Sequence, residues 1–254
     1  MKLLDAFNLS KPGVVSLVGG GGKTTTMFAL GREAIKRGLK TVLTTTTRIY
    51  YPADQGLDVV VAGTSQALLS GVRDKLAAHP GVVAGAELSP DNKLTGLDPC
   101  LIEDILAAGA DLVVIEADGA ARKPFKAPAG HEPVIPEVST VVVPVVGIDC
   151  LDKPLLPKYV HRPEIVAALS CISIGEKVTP EIVAKVLTHP LGFRKGLPAN
   201  CSWIPFINKV ETASDLAKAQ EIAALVGKIL PCRVVIGASA ANTPVVEILD
   251  FEGV

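Results

Sequence analysis

The apolar residues of this chain come in short bursts of Val, Ile and Leu, separated by Gly, Pro and charge. Short unbroken apolar runs bounded by turn signals mark strands buried on both faces. Val14–Val18, Thr41–Leu43, Val59–Ala62, Asp111–Ile115, Thr140–Val146, Trp203–Ile207, Arg233–Ile236 and Val245–Leu249 read this way. Helical segments lie between them. They are Thr24–Lys36, ended by Gly38; Thr64–Ala78, with a Thr or Ser cap; Pro99–Ala108; His161–Leu169; Thr179–His189; and Ala213–Ile229. Gly81–Leu97 is rich in turn residues and reads as a hairpin. Strands alternating with helices predict an α/β fold, with a doubly wound, mostly parallel sheet flanked by helices. With no repeat and no low-complexity linker, residues 1–254 read as one domain, and about 157–200 as a small helical appendage. Gly119–Ser139 breaks the pattern: it holds four Pro and several basic residues. Loops this long without structure of their own are uncommon and often functional.

Composition narrows the class. Apolar residues make up 48% of the 254, yet no apolar run reaches the roughly 18–20 residues of a membrane-spanning helix. A net charge of −1 gives no reason to expect nucleic acid as a partner. The start Met1-Lys2-Leu3-Leu4-Asp5 lacks the apolar stretch of a secretory signal, so the expected location is the cytoplasm. The five cysteines are odd in number and none are spaced C-x-x-C. They read as reduced, mostly buried thiols, with metal or selenium ligation as the alternative.

The chemistry concentrates first at Gly19-Gly20-Gly21-Gly22-Lys23-Thr24-Thr25-Thr26, between a strand and a helix. Glycines let the backbone turn so that successive N–H groups face one anion. The helix offers its positive N-terminus to the same anion. Lys23 can reach β- and γ-phosphates, and the Thr24 hydroxyl can hold Mg²⁺. This is a P-loop, and it makes the expected fold P-loop NTPase-like. Leu17 stands where the first Gly of G-x-x-x-x-G-K-[ST] belongs. The loop is similar to the G-x-x-G-K-T-T loop of the Mur ligases. It also resembles the K-G-G-x-G-K-T-T loop of MinD-like ATPases, with Val18 in place of the signature Lys. Gly19–Thr25 are therefore candidate nucleotide contacts, and Lys23 a candidate catalytic residue.

Three other segments join the loop. Asp111–Gly119 is an apolar strand ending in acids, which places Glu116 and Asp118 as candidate catalytic groups and, with Thr24, metal ligands. Glu116 to Gly119 has the [DE]-x-x-G form, which resembles the metal-centre maturation GTPases for urease and hydrogenase. Thr44–Arg48 lies at a strand end, where Thr46 and Arg48 could hold an anion, as could Arg122, Lys123, Lys126 and His131 of the basic loop. Asn208-Lys209-Val210-Glu211 resembles the N-K-x-D base-reading motif, with Glu for Asp, and Gly237–Ala240 could supply a second base loop. Asn208, Lys209 and Glu211 are thus candidate base contacts. They tilt the choice between ATP and GTP slightly towards GTP.

Taken together, Gly19–Thr26, Thr44–Arg48, Glu116–Pro136, His161–Glu164 and Asn208–Glu211 resemble the YqeC family of selenium-dependent hydroxylase accessory proteins. The run EADGAARKPFKAPAGHEPVIP is the most specific part, and the resemblance spans nearly the whole chain. It implies a role in maturing selenium-dependent molybdenum hydroxylases, through their molybdenum or labile-selenium cofactor. The leading expectation is an accessory protein that binds and hydrolyses a nucleoside triphosphate with Mg²⁺. Two alternatives stand beside it. One is an ATP-dependent kinase or ligase acting on a small anionic cofactor precursor. The other is a nucleotide-holding scaffold without turnover.

Overall fold

The structure, a computed structural model, describes residues 1–9 and 13–252. The chain opens with a one-turn helix α1 (Leu3–Ala6), then β1 (Gly13–Gly19) and α2 (Lys23–Lys36). β2 (Thr41–Thr45), β3 (Arg48–Tyr50), β4 (Asp58–Val61), α3 (Ser65–Ala78), β5 (Gly81–Gly85) and β6 (Lys93–Thr95) follow. Next come α4 (Leu101–Ala107), β7 (Leu112–Glu116), β8 (Phe125–Lys126), β9 (Val141–Gly147) and β10 (Val160–His161). The last part holds α5 (Pro163–Ser170), α6 (Pro180–Thr188), β11 (Ser202–Trp203), β12 (Phe206–Asn208), α7 (Ala213–Gly227), β13 (Cys232–Gly237) and β14 (Val245–Phe251).

The main sheet runs β14-β13-β12-β9-β1-β7-β2-β5-β4, with β11 also on β9. Its pairings are parallel except β13 with β14. Every residue of β1, β2, β5, β7 and β9 is buried, the result of helices covering both faces. Two buried clusters lie on opposite faces. One contains Val14, Val113 and Val142; the other contains Val15, Val114 and Val143. That division is the period-two alternation of a strand. α5 and α6 add Val166, Val183 and Leu187 to the first cluster, together with Ala219 and Ile222 of α7.

The sequence pattern places the strand cores well, and two segments differ from it in detail. Gly81–Leu97 does hold a hairpin, over residues 86–95, where Leu88 and Leu94 bridge antiparallel and the N–H groups of Ala86, Ser89 and Thr95 bond across it. Gly81–Gly85, ahead of it, is a buried parallel strand between β2 and β4. The returning arm Lys93–Thr95 also pairs antiparallel with Arg48–Tyr50, in a separate two-stranded ribbon. The strand expected over Trp203–Ile207 is broken at Ile204-Pro205 into β11 and β12, since Pro has no N–H for the ladder. The thiols also depart from expectation. All five are free, but only Cys150 is buried, while Cys100 and Cys171 are exposed. Among the described residues, no helix is long and apolar enough to cross a membrane.

Candidate functional site

β1 is the middle of the sheet, and its carboxyl end carries the glycine loop. β7 pairs with it directly, with Glu116 opposite Leu17 and, on the other side, opposite Thr45 of β2. Asp118 therefore arrives beside Gly19. Its two carboxylate oxygens accept the Gly19 N–H at 3.0 and 2.9 Å. The loop then turns through three glycines with positive φ: Gly19 at 96°, Gly21 at 71° and Gly22 at 116°. These glycines have a second reason beyond φ. A Cβ on Gly20 would lie 2.6 Å from the Lys123 carbonyl oxygen, and one on Gly21 would lie 2.1 Å from the Gly147 nitrogen. Two neighbouring segments, 123–125 and 145–147, press on the loop backbone. The Gly20 N–H donates to Val145 O and the Gly21 N–H to Lys123 O.

α2 follows. Its first internal bond at this end runs from Thr26 N–H to Gly22 O at 2.9 Å. The N–H groups of Gly22, Lys23, Thr24 and Thr25 precede it and are open to an anion. Lys23 is 4% exposed, and its ammonium donates to Gly19 O; it also pairs with Asp118 at 3.1 Å and Glu116 at 3.6 Å. Burial alone would lower its pKa, but the two acids outweigh that and hold it above its ordinary value. Glu116 moves the other way. Burial raises its pKa, with Asp118 adding to the rise, although Lys23 and Thr24 pull against it. The Thr24 hydroxyl donates to Glu116 Oε2 at 2.7 Å. A hydroxyl beside a carboxylate is an all-oxygen pair that suits a hard cation. Among the described residues, no group of three or more His, Cys, Asp or Glu is gathered to hold a metal.

A cleft of about 650 Å³ opens over this loop. It is lined by Gly20–Thr25 and Glu116, and further out by Arg48, Arg122, Lys123 and Lys209. The structure thus brings together most of the expected residues, but several need correction. Lys126, expected to hold substrate, is fully buried. It pairs with Asp118 at 3.0 Å and with Glu132, which in turn pairs with Arg162. Lys23, Lys126 and Arg162 alternate with Glu116, Asp118 and Glu132 in one connected set, so each buried charge has a partner. Glu132 is held down to about pKa 2: burial opposes this, but hydrogen bonds and charge from Arg162 and Lys126 prevail. Asp118 is itself fully buried, with its oxygens facing Gly19, Lys23 and Lys126. It holds the Gly19 N–H in place and, unlike Thr24 and Glu116, does not line the cleft.

Thr46 is turned away from the cleft, its hydroxyl donating to Val134 O at 2.7 Å. His131 is exposed beside Glu132 and does not line the cleft. Asn208 is 2% exposed, and its amide is fully engaged. Nδ2 donates to Gly21 O at 2.8 Å and to Ser239 Oγ, while Oδ1 accepts the Ser239 N–H. It ties the glycine loop to the loop after β13. Lys209 takes a left-handed φ of 66°, lines the cleft and pairs with Asp149. Glu211 does not line the cleft. It lies in the turn where Thr212 and Asp215 form the capping box of α7. The pattern misses Tyr50 and Lys93, which line the cleft from the ribbon of β3 and β6. The only signal for them was an Arg-x-Tyr alternation after the Thr tract.

The central parallel strand, the glycine loop on its carboxyl end and the acid-ended strand beside it define a P-loop fold of the NTPase kind. The chain belongs to the YqeC family: the family described as YqeC protein matches residues 15–164. A relative from Escherichia coli (strain K12), described as uncharacterized protein YqeC, is 28% identical over 221 residues, covering 87% of this chain and 85% of the relative. Among solved structures, the hydrogenase maturation factor HypB from Archaeoglobus fulgidus is 18% identical, with a TM-score of 0.41 over 92% of this chain and 85% of that one. The cell division protein FtsY from Thermotoga maritima is 15% identical, with a TM-score of 0.42 over 98% and 71%.

Proposed function

We propose that this chain binds a nucleoside triphosphate with Mg²⁺ at Gly19–Thr25 and hydrolyses it while assisting the maturation of a selenium-dependent molybdenum hydroxylase or its cofactor. One observation carries the nucleotide reading. The open N–H groups of Gly22 to Thr25, the Lys23 ammonium and the Thr24–Glu116 pair all border one cleft. In this reading the helix N-terminus and Lys23 hold the β- and γ-phosphates. Thr24 and Glu116 fit Mg²⁺, which when bound neutralises charge on those phosphates. Asp118 keeps Gly19 in place, and Asn208 couples the loop to Ser239. The accessory role follows from family resemblance, and the choice between ATP and GTP stays open, because Glu211 stands away from the cleft. The kinase or ligase alternative draws support from Arg48 and Arg122, which face the cleft beyond the loop.

Calorimetric titration of Mg²⁺–ATP and Mg²⁺–GTP tests the reading. One of them should bind the parent protein, and Lys23→Ala should weaken it at least tenfold. Equal affinity in the variant would sink the proposal. Release of phosphate by the parent in a single-turnover assay separates hydrolysis from a scaffold.

A further inference from the structure

The cleft is longer than the loop that anchors it, and its far wall has a chemistry of its own. Arg48, Tyr50 and Lys93 reach it from a two-stranded ribbon outside the main sheet. Arg122 reaches it from the opposite side, and its guanidinium lies 4.3 Å from the Tyr50 ring centroid. Lys93 Nζ lies 5.1 Å from the same ring. Tyr50 is nevertheless 51% exposed, a large ring left facing solvent. Among the described residues, neither Arg48 nor Arg122 is paired with an acid. Two cations therefore lie against a half-exposed ring, and Arg48 lines the same cleft, which is also that of the phosphate loop.

The backbone adds a second, independent observation. Ala121 and Arg122 are consecutive non-glycine residues in the left-handed region, at φ 46° and 59°. Such conformations cost of order 1–3 kcal/mol each and cluster at ligand clamps. Here they turn the chain so that Arg122 meets Tyr50 while Lys123 O stays on the Gly21 N–H.

We infer that the wall formed by Arg48, Tyr50, Lys93 and Arg122 is a subsite for a second ligand: a small molecule that carries a planar ring and a phosphate or carboxylate group. The two guanidinium groups take the anion, each planar and suited to a forked grip on oxygen pairs, while Lys93, paired with Asp91, lines the wall beside them. The Tyr50 ring takes the flat part of the ligand. The inference rests on the reading of the glycine loop as the nucleotide site, because it assigns the remaining half of the cleft.

The test uses phenyl phosphate as the probe, titrated into the full chain by calorimetry. Mg²⁺ and a slowly hydrolysed nucleotide analogue are first added until saturation, and their own heat is recorded. Phenyl phosphate should then bind the loaded protein, about tenfold tighter than inorganic phosphate, the scale of one aromatic contact. Tyr50→Ala should erase that preference, and Arg122→Ala should weaken phenyl phosphate tenfold or more. Both residues are exposed, so the variants should fold, and an unchanged nucleotide titration verifies it. A loaded protein that does not bind phenyl phosphate overturns the subsite, as does equal binding by both variants. Failure of the nucleotide reading shows separately, as no heat from the analogue. In that case phenyl phosphate binding that Lys23→Ala abolishes and Arg122→Ala leaves intact also overturns the subsite.

Discussion

Lys126 offers the clearest test of whether the charges below the glycine loop hold structure or hold ligand. Its ammonium is fully buried, 3.0 Å from Asp118, paired with Glu132 and hydrogen-bonded to Gly119 O. Lys126→Met keeps most of the volume and removes the charge. Asp118 then keeps only Lys23 and the Gly19 N–H, and Glu132 keeps only Arg162. Removing one partner of a buried ion pair costs roughly 3–5 kcal/mol, because the other charge stays out of water. For a domain of this length each kcal/mol moves Tm by roughly 2–4 °C, so the melt should fall by about 6–20 °C. Urea unfolding followed by circular dichroism gives the free energy directly. A second variant, Lys126→Met with Glu132→Leu, should recover part of the loss. It removes both charges, and the Arg162 side chain is 20% exposed and can turn to water. Stability within about 1 kcal/mol of the parent for Lys126→Met, together with weaker anion binding, would refute the structural role and return Lys126 to the ligand.

The glycines and the acid network give two further outcomes. Gly21→Ala combines a φ of 71° with a Cβ 2.1 Å from the Gly147 nitrogen, so urea unfolding should show a loss of roughly 2–4 kcal/mol. Gly38→Ala has φ 79° and open space around it, and should lose only about 1 kcal/mol; equal losses would remove close packing as the cause. For Glu132, the folded pKa of about 2 lies below the ordinary 4.5. Its stabilisation is therefore complete above pH 4.5 and is lost as the pH falls towards 2. At about 1.4 kcal/mol for each pH unit between the two values, it amounts to at most roughly 3 kcal/mol. The stability gap between the parent and Glu132→Gln should shrink across that range, and a gap independent of pH would contradict the assignment.

What the sequence could reveal depended on how local the signal was. The strand cores and the loop were legible because each is a local pattern: an unbroken apolar run, or glycines and a Lys at a strand–helix junction. Gly81–Gly85 was not, since its five residues include two glycines and it is a strand only through burial between β2 and β4. In the site, Lys23, Thr24 and Glu116 were legible, because strand register alone brings β7 to β1. The burial of Lys126 was not legible, because a basic residue in a Pro-rich loop looks solvated. What buries it is Glu132, six residues on, together with Asp118 and β10, which pairs with β8, carries His161 and leads to Arg162. Glu211 was misread for the opposite reason. The motif supplies its spacing, but the capping turn of α7 decides where it goes. Tyr50 and Lys93 meet only through the pairing of β3 with β6, which no local pattern specifies.

The same arrangement explains how a loop without the first Walker glycine can still be held in shape. Leu17 and Val18 are buried strand residues, so the turn begins only at Gly19. A shorter turn has fewer internal contacts, and here protein outside the loop replaces them. Asp118 fixes Gly19, Val145 O fixes Gly20, and Lys123 O with Asn208 fixes Gly21. Lys23 rests on Asp118, Glu116 and Gly19 O, so a triphosphate arriving at the helix N-terminus competes with those acids for the ammonium. Any movement of Lys23 towards phosphate reduces the positive charge on Asp118, and Asp118 is bonded both to the loop and, through Lys126, to Glu132 and Arg162. The basic segment that carries Arg122 starts from that acid and ends at Glu132. Contiguous ion pairs thus run from Lys23, beneath the phosphate loop, to Glu132 at the far end of the segment that carries Arg122.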